Sequence, residues 1–220
     1  MSLIKSVLAA NEQWSADVED AEPGFFAELA KGQAPPVFWI GCSDSRVPES
    51  VITGSRPGTM FVLRNIANQF HLDDDSALSA LTYAVDYLGV EHVIVVGHTE
   101  CGGCNACFAA CPQFVAGEAC ATVGALPAND PINRWLQPVT ALASSLELSA
   151  APQAEALPIL IEENVKVQVQ NICTTEIIQK AWTSKSAKGK DVFVHGMVFD
   201  LSTGKLVDLG VTNGPKPKSE

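Results

Sequence analysis

No segment limits the folds open to this chain more than His92-Val93-Ile94-Val95-Val96-Gly97. Its consecutive β-branched residues leave no polar face, so a strand here must be covered on both sides. Val37-Phe38-Trp39-Ile40-Gly41-Cys42 reads the same way, and Met60–Leu63 is a third, shorter strand. Between the second and third of these in chain order, helical periodicity takes over. Leu78, Leu81, Val85 and Leu88 make one stripe along Ser76–Leu88, and Gly89 is placed to cap it. Further helices are expected just after Gly102, over Pro131–Leu148 and over Pro158–Trp182. Within the last, Val165, Val167 and Val169 alternate as a strand would. Ile161, Val165, Val169, Ile172 and Glu176 keep helical spacing, and helix is the reading adopted. Asp191–Phe199 and Lys205–Leu209 form a closing strand pair across Ser202-Thr203-Gly204. This order predicts an α/β fold: a central, mostly parallel sheet with helices on both faces.

Two helices precede the first strand and make an N-terminal helical arm over residues 1–32. The first, Ser2 to about Asp20, repeats Leu3, Val7, Ala10, Trp14 and Val18 at helical spacing; the second, Phe25–Lys31, is opened by Pro23 and closed by Gly32. Trp14, Phe25 and Phe26 have little of their own to cover, so the arm is expected to clasp a neighbouring subunit. Cys111–Pro131, rich in Ala, Gly and Pro, reads as a surface loop, and Pro215–Glu220 as a mobile tail. A single domain, 1–220, accounts for the whole.

A hydrophobic content of 47 % excludes general disorder, and a net charge of −11 argues against nucleic acid and against a polybasic membrane anchor. No apolar run is long enough to span a bilayer. Acidic residues follow the start at once from Glu12, unlike a signal or transit peptide, so a cytoplasmic location is expected. The seven cysteines are odd in number and bunched between Cys101 and Cys120, which disfavours a disulfide framework and favours metal binding or burial.

In open α/β sheets, sites gather beyond the carboxyl ends of strands. Cys42-Ser43-Asp44-Ser45-Arg46 follows the first strand, and Gly97-His98-Thr99-Glu100-Cys101-Gly102-Gly103 ends the strongest one. Singly, a buried Cys, a strand-end His or an Asp-x-Arg pair is ordinary. Together they offer two thiols and an imidazole at neighbouring strand ends, a set that zinc takes in tetrahedral geometry with a fourth position left open.

Cys-Ser-Asp-Ser-Arg-Val-Pro at 42–48 and Gly-His-Thr-x-Cys-Gly-Gly at 97–103 resemble the paired signature motifs of β-class carbonic anhydrases. The helical arm before them and the His195-Gly196 strand after them are similar too. The resemblance implies one zinc ion per chain, held by Cys42, His98 and Cys101. It implies a carbon dioxide-hydrating lyase in which Asp44 accepts a hydrogen bond from the attacking hydroxide and Arg46 keeps Asp44 ionised and turned from the metal. It places Gln33, Phe61, Ile66, Tyr83 and Gly102 around carbon dioxide or bicarbonate, some of them across a subunit interface. A homodimer or a dimer of dimers is therefore implied. In one subgroup Trp39, Arg64 and a tyrosine form a noncatalytic bicarbonate pocket; here Phe199 stands at the tyrosine's place.

Two alternatives stay open. Hydrolases of carbonyl sulfide or carbon disulfide resemble this family, and a noncatalytic bicarbonate-responsive module could share the fold. Cys104, Cys107 and Cys111 lie outside the motifs and read as buried thiols, with a second metal site as the alternative. His71 and His92 match no motif and read as surface or packing residues.

Overall fold

The computed structural model describes residues 2–215, so all of the expected mobile tail but Pro215 lies outside the described residues. The chain forms two compact units, one ending at Ala34 and one beginning at Pro35.

The first unit holds α1 (Leu3–Ala21) and α2 (Phe25–Leu29). The second helix stops two residues short of the expected Lys31, and its cap is Gly24 rather than Pro23. Trp14 packs edge-on against Phe26 at 5.6 Å and Phe26 against Phe25 at 5.2 Å. Those rings use little of the arm's apolar surface: Leu3 is 78 % exposed and Ile4 67 %, and no residue of α1 is buried.

The second unit is built on a five-stranded sheet of order β2-β1-β3-β4-β5. Its strands are β1 (Val37–Cys42), β2 (Met60–Asn65), β3 (His92–His98), β4 (Phe193–Asp200) and β5 (Lys205–Asp208). The first four strands in that order are parallel, and β5 closes the sheet antiparallel to β4. All but the first residue of β1 is buried, as its unbroken apolar run requires. The second strand is two residues longer than expected and so carries Arg64 and Asn65 to the same edge as Cys42.

The helices are α3 (Glu49–Ile52), α4 (Asp75–Thr82), α5 (Gly102–Ala110), α6 (Pro131–Ser145), α7 (Gln153–Thr174) and α8 (Glu176–Ser184). Three departures from the sequence reading have physical causes. The short α3 has too few residues to show periodicity. The expected helix Ser76–Leu88 is α-helical only to Thr82; Tyr83–Leu88 widens into a π-turn that ends on Gly89 at φ +68°. The helix expected over Pro158–Trp182 starts earlier, at Gln153, and breaks at Thr175. That residue's hydroxyl donates to the Ile172 carbonyl at 2.7 Å and accepts from Ile178 N–H at 3.4 Å, ending one helix and capping the next. The helical spacing in α7 was the right reading: Ile161, Val165, Val169 and Ile172 are buried and Val167 is exposed.

Helix α7 lies across β3 and β4, and two glycines let it come close. A Cβ on Gly97 would lie 2.7 Å from Val165 Cγ2, and one on Gly196 3.0 Å from Val165 Cγ1. Overpacking of this kind costs about 1–3 kcal/mol. Gly97→Ala is therefore expected to lower stability by that order in urea unfolding, and by less in a Val165→Ala background. An equal loss in both backgrounds would show that the helix–sheet contact is not what requires glycine.

Candidate metal centre

Strands β1 and β3 are adjacent and parallel, with Gly41 paired to Val96. Cys42 and His98 therefore leave the sheet at one edge, and Cys101 follows at the cap of α5. The two sulfurs and the imidazole nitrogen all lie within 4.8 Å of one another, and all three residues are buried. A tetrahedral ion with bonds of about 2.3 Å to sulfur and 2.0–2.1 Å to nitrogen separates its donors by roughly 3.5–3.8 Å, a spacing that this cluster can meet.

The imidazole is already set for a cation. His98 Nδ1 donates to the Thr99 carbonyl at 2.8 Å, which leaves the lone pair on Nε2. That nitrogen is buried and makes no hydrogen bond. Burial works against charging the ring, but the Cys42 sulfur, the Thr99 carbonyl and Asp44 together outweigh it, and the His98 pKa is raised. The Cys42 thiol is pushed up to about 12, first by contact with the Cys101 thiol and then by burial. Cys101 is likewise pushed up to about 12, chiefly by its contact with the Cys104 thiol. A divalent cation supplies the positive charge that these crowded sulfurs lack, so its arrival expels their protons. The donor set fits zinc.

Asp44 stands beside this triangle, its Oδ2 3.8 Å from His98 Nε2. Arg46 grips it as a fork: Nη2 donates to Oδ2 at 2.7 Å and Nε to Oδ1 at 3.0 Å, while the Arg46 backbone N–H adds a 2.9 Å bond to Oδ1. Those bonds hold the Asp44 carboxyl well below the usual carboxylate range. Arg46 Nη2 also donates to the Glu100 carbonyl at 3.1 Å, tying the two motif loops together.

Arg64, matched above to a noncatalytic bicarbonate pocket, ties β2 to the first motif. Its Nε donates to the Cys42 carbonyl at 2.8 Å and its Nη2 to the Asp44 carbonyl at 2.6 Å. Phe199 is buried on β4 opposite His98. Trp39 is buried, its indole lying over Gly41.

The expected wall residues are arranged as follows. Phe61 packs at 5.7 Å from both Phe38 and Tyr83. Tyr83 is 45 % exposed and Ile66 42 %. Ser43, Asn65 and Ile66 join Pro131, Ile132 and Trp135 around an open, mostly apolar cavity of about 470 Å³. Gly102 is the exposed first residue of α5, so its N–H has no acceptor within the helix. Gly103 is different: a Cβ there would meet Ala67 Cβ at 3.1 Å and Ile66 Cγ2 at 3.3 Å. Gln33 is exposed in the coil after α2, within the first unit.

A buried amide cluster fixes the loop that carries Ile66, and sequence reasoning missed it. Ala67 and Asn68 both take positive φ, at 60° and 49°. The Ala67 carbonyl accepts from Gln69 Nε2 at 2.6 Å and from Asn164 Nδ2 at 3.0 Å. Gln168 continues the cluster by donating to Gln69 Oε1 at 3.2 Å. The only prior signal was a pair of amides four apart on α7.

All seven cysteines are free and buried. Cys104, Cys107 and Cys111 are buried, as the first reading had them, and the gathered group of three donors among the described residues is Cys42, His98 and Cys101. His71 lies tilted against Trp135, ring centroids 4.2 Å apart. His92 pairs with His195 at 3.0 Å. It sits six residues before His98, about 20 Å along the strand at 3.3 Å per residue.

Changing Cys42, His98 or Cys101 to Ala is expected to take zinc content from one per chain to far below it, by elemental analysis. Cys104→Ala should keep it near one. Zinc lost from the Cys104 variant alone would mean the ligand set is misassigned.

Comparison with known proteins agrees with this geometry. A family model described as carbonic anhydrase matches residues 37–206. A carbonic anhydrase of Emericella nidulans is 35 % identical over 208 residues, covering 93 % of this chain and 82 % of that protein. A β-carbonic anhydrase of the ascomycete Sordaria macrospora, described as tetrameric, superposes with a TM-score of 0.80 at 31 % identity over 96 % of this chain and 98 % of its own. The Coccomyxa β-carbonic anhydrase in complex with acetazolamide gives 0.81 at 30 % identity, covering 97 % and 89 %. Among the described residues no helix is long and apolar enough to cross a membrane.

Proposed function

This chain belongs to the β-carbonic anhydrase family, and from that premise we propose that it catalyses the reversible hydration of carbon dioxide to bicarbonate and a proton. The observation that carries the reading is the buried Cys42, His98 and Cys101 triangle with an ionised carboxylate at its side. Zinc held by those three residues would supply the charge that acidifies a water at neutral pH.

The chain's own groups then aim and shelter that water. Asp44 Oδ1 is occupied by two bonds from Arg46, while Oδ2 accepts only one and faces the donor triangle. An ionised carboxylate can only accept. Oδ2 therefore takes the O–H of the attacking oxygen and turns its lone pair toward the carbon of the substrate. Arg46, held on the Glu100 carbonyl, keeps Asp44 from swinging in to take the substrate's place. Ile66, Phe61 and Tyr83 offer an apolar surface suited to a linear, uncharged molecule, and the Gly102 amide an N–H for the anion that forms.

A water-excluding site sits poorly with the exposure of Ile66 and Tyr83 in one chain. We read the functional unit as a homodimer or a dimer of dimers, in which a second copy covers them and the apolar stripe of α1. The description of the Sordaria relative as tetrameric supports this. A fully active monomer by light scattering would overturn it.

Asp44→Asn is expected to keep zinc but lower hydration by about 100-fold or more, the scale of a misplaced proton acceptor. In the unchanged protein Asp44 stays ionised across pH 6–9, so activity should climb with pH as the water ionises rather than follow the carboxylate. A flat profile in stopped-flow assays at saturating buffer would contradict the mechanism. Turnover of carbonyl sulfide measured alongside separates the hydrolase reading.

A further inference from the structure

Cys104 touches the donor set, yet the proposed reaction gives it no task. It stands three residues after Cys101, on the first turn of α5, close enough that its thiol helps push the Cys101 pKa up. Both residues are 1 % exposed. Side chains three apart on a helix have Cβ atoms about 5–6 Å apart, against about 3.5–4.5 Å in a disulfide. Cys101 is the cap, with extended backbone at φ −68° and ψ 119°, so its own rotation can close that gap while α5 stays wound. Cys107 repeats the spacing from Cys104, but both lie inside the helix, and the Cys107 thiol donates to the Leu136 carbonyl at 3.6 Å. Cys42 is held on β1, its carbonyl pinned by Arg64.

We propose that Cys101 and Cys104 form a reversible disulfide under peroxide, and that closing it removes a metal ligand and empties the site. The inference rests on Cys101 being a ligand. The Cys101 sulfur attacks one peroxide oxygen and the O–O bond breaks, giving a sulfenic acid and one water. The Cys104 sulfur then attacks the sulfenic sulfur, the S–O bond breaks and a second water leaves. Both thiols are oxidised by two electrons in total, and one peroxide is reduced to two waters. Cys42 and His98 remain, a two-donor remnant that holds zinc poorly. Thiol reductants reverse the bond by exchange.

The test starts from reduced, zinc-loaded protein treated with a slight excess of hydrogen peroxide. Released zinc is followed with a chromogenic chelator, and cleavage after Glu100 and Phe108 isolates Cys101, Cys104 and Cys107 for tandem mass spectrometry. The expected result is loss of zinc in step with a Cys101–Cys104 bridge, both undone by dithiothreitol. Cys104→Val should bind zinc and keep it longer under the same peroxide. A Cys42–Cys101 or Cys104–Cys107 bridge, sulfinic acid at Cys101 without a bridge, or equally fast zinc loss from the variant would overturn the proposal. Bridge mapping in the unchanged protein decides the matter even where the variant fails to fold. Protein that takes up no zinc before treatment overturns the ligand reading itself, and mapping then still decides the disulfide.

Discussion

The parallel pairing of β1 with β3 is what makes chemistry possible in this chain. Neighbouring strands lie about 4.7–4.9 Å apart, and parallel strands release their last residues at the same edge. Cys42 and His98 are thus brought to within bonding reach of one small ion by sheet geometry alone, and the donor atoms lie within 4.8 Å of one another. An antiparallel pair of the same two sequences would put the thiol and the imidazole at opposite ends of the sheet. Cys101 costs little more, because the cap of α5 follows the strand after two loop residues.

A pair of strand ends is not yet a site, and the remaining order comes from charged and amide side chains acting on backbone. Arg64 grips the carbonyls of Cys42 and Asp44 from β2, and Arg46 grips the carbonyl of Glu100 from the other motif. The loop after β2 carries two non-glycine residues in left-handed conformation, a strain of order 1–3 kcal/mol each. It persists because Asn164 and Gln168 on α7 hold the Ala67 carbonyl and the Gln69 side chain through buried amide bonds, which are strong in a dry interior. Helix α7 thus does two jobs: Val165 seats it on the glycines of β3 and β4, and its amides hold the wall of the cavity.

What was legible in the sequence was whatever short-range pattern determines. The apolar runs gave the strands, and the spacing of Ile161, Val165, Val169 and Ile172 gave a helix despite the competing valine alternation. The residues of the metal cluster could be named because they end neighbouring strands or cap the helix after one, within two motifs that resemble a known family's. Hidden were features made by partners distant in the chain or by one residue's choice of hydrogen bond. Thr175 breaks a helix by bonding backward and forward at once, which its neighbours do not announce. The π-turn at Tyr83–Leu88 leaves the apolar stripe nearly intact, so periodicity misses it. Gln69 and Asn164 are 95 residues apart, and no local rule pairs them.

The burial of every cysteine also has a consequence for how this protein fails. Folded, the chain keeps its seven thiols buried, each beside fixed neighbours. Unfolded, it presents all of them together on a flexible polymer, where any pair can be oxidised and few pairings are compatible with the sheet. In air, heating past the transition then becomes a one-way event, set by the rate of opening rather than by the free energy of folding. Refolding yield is governed by the reductant present while the thiols are in the open.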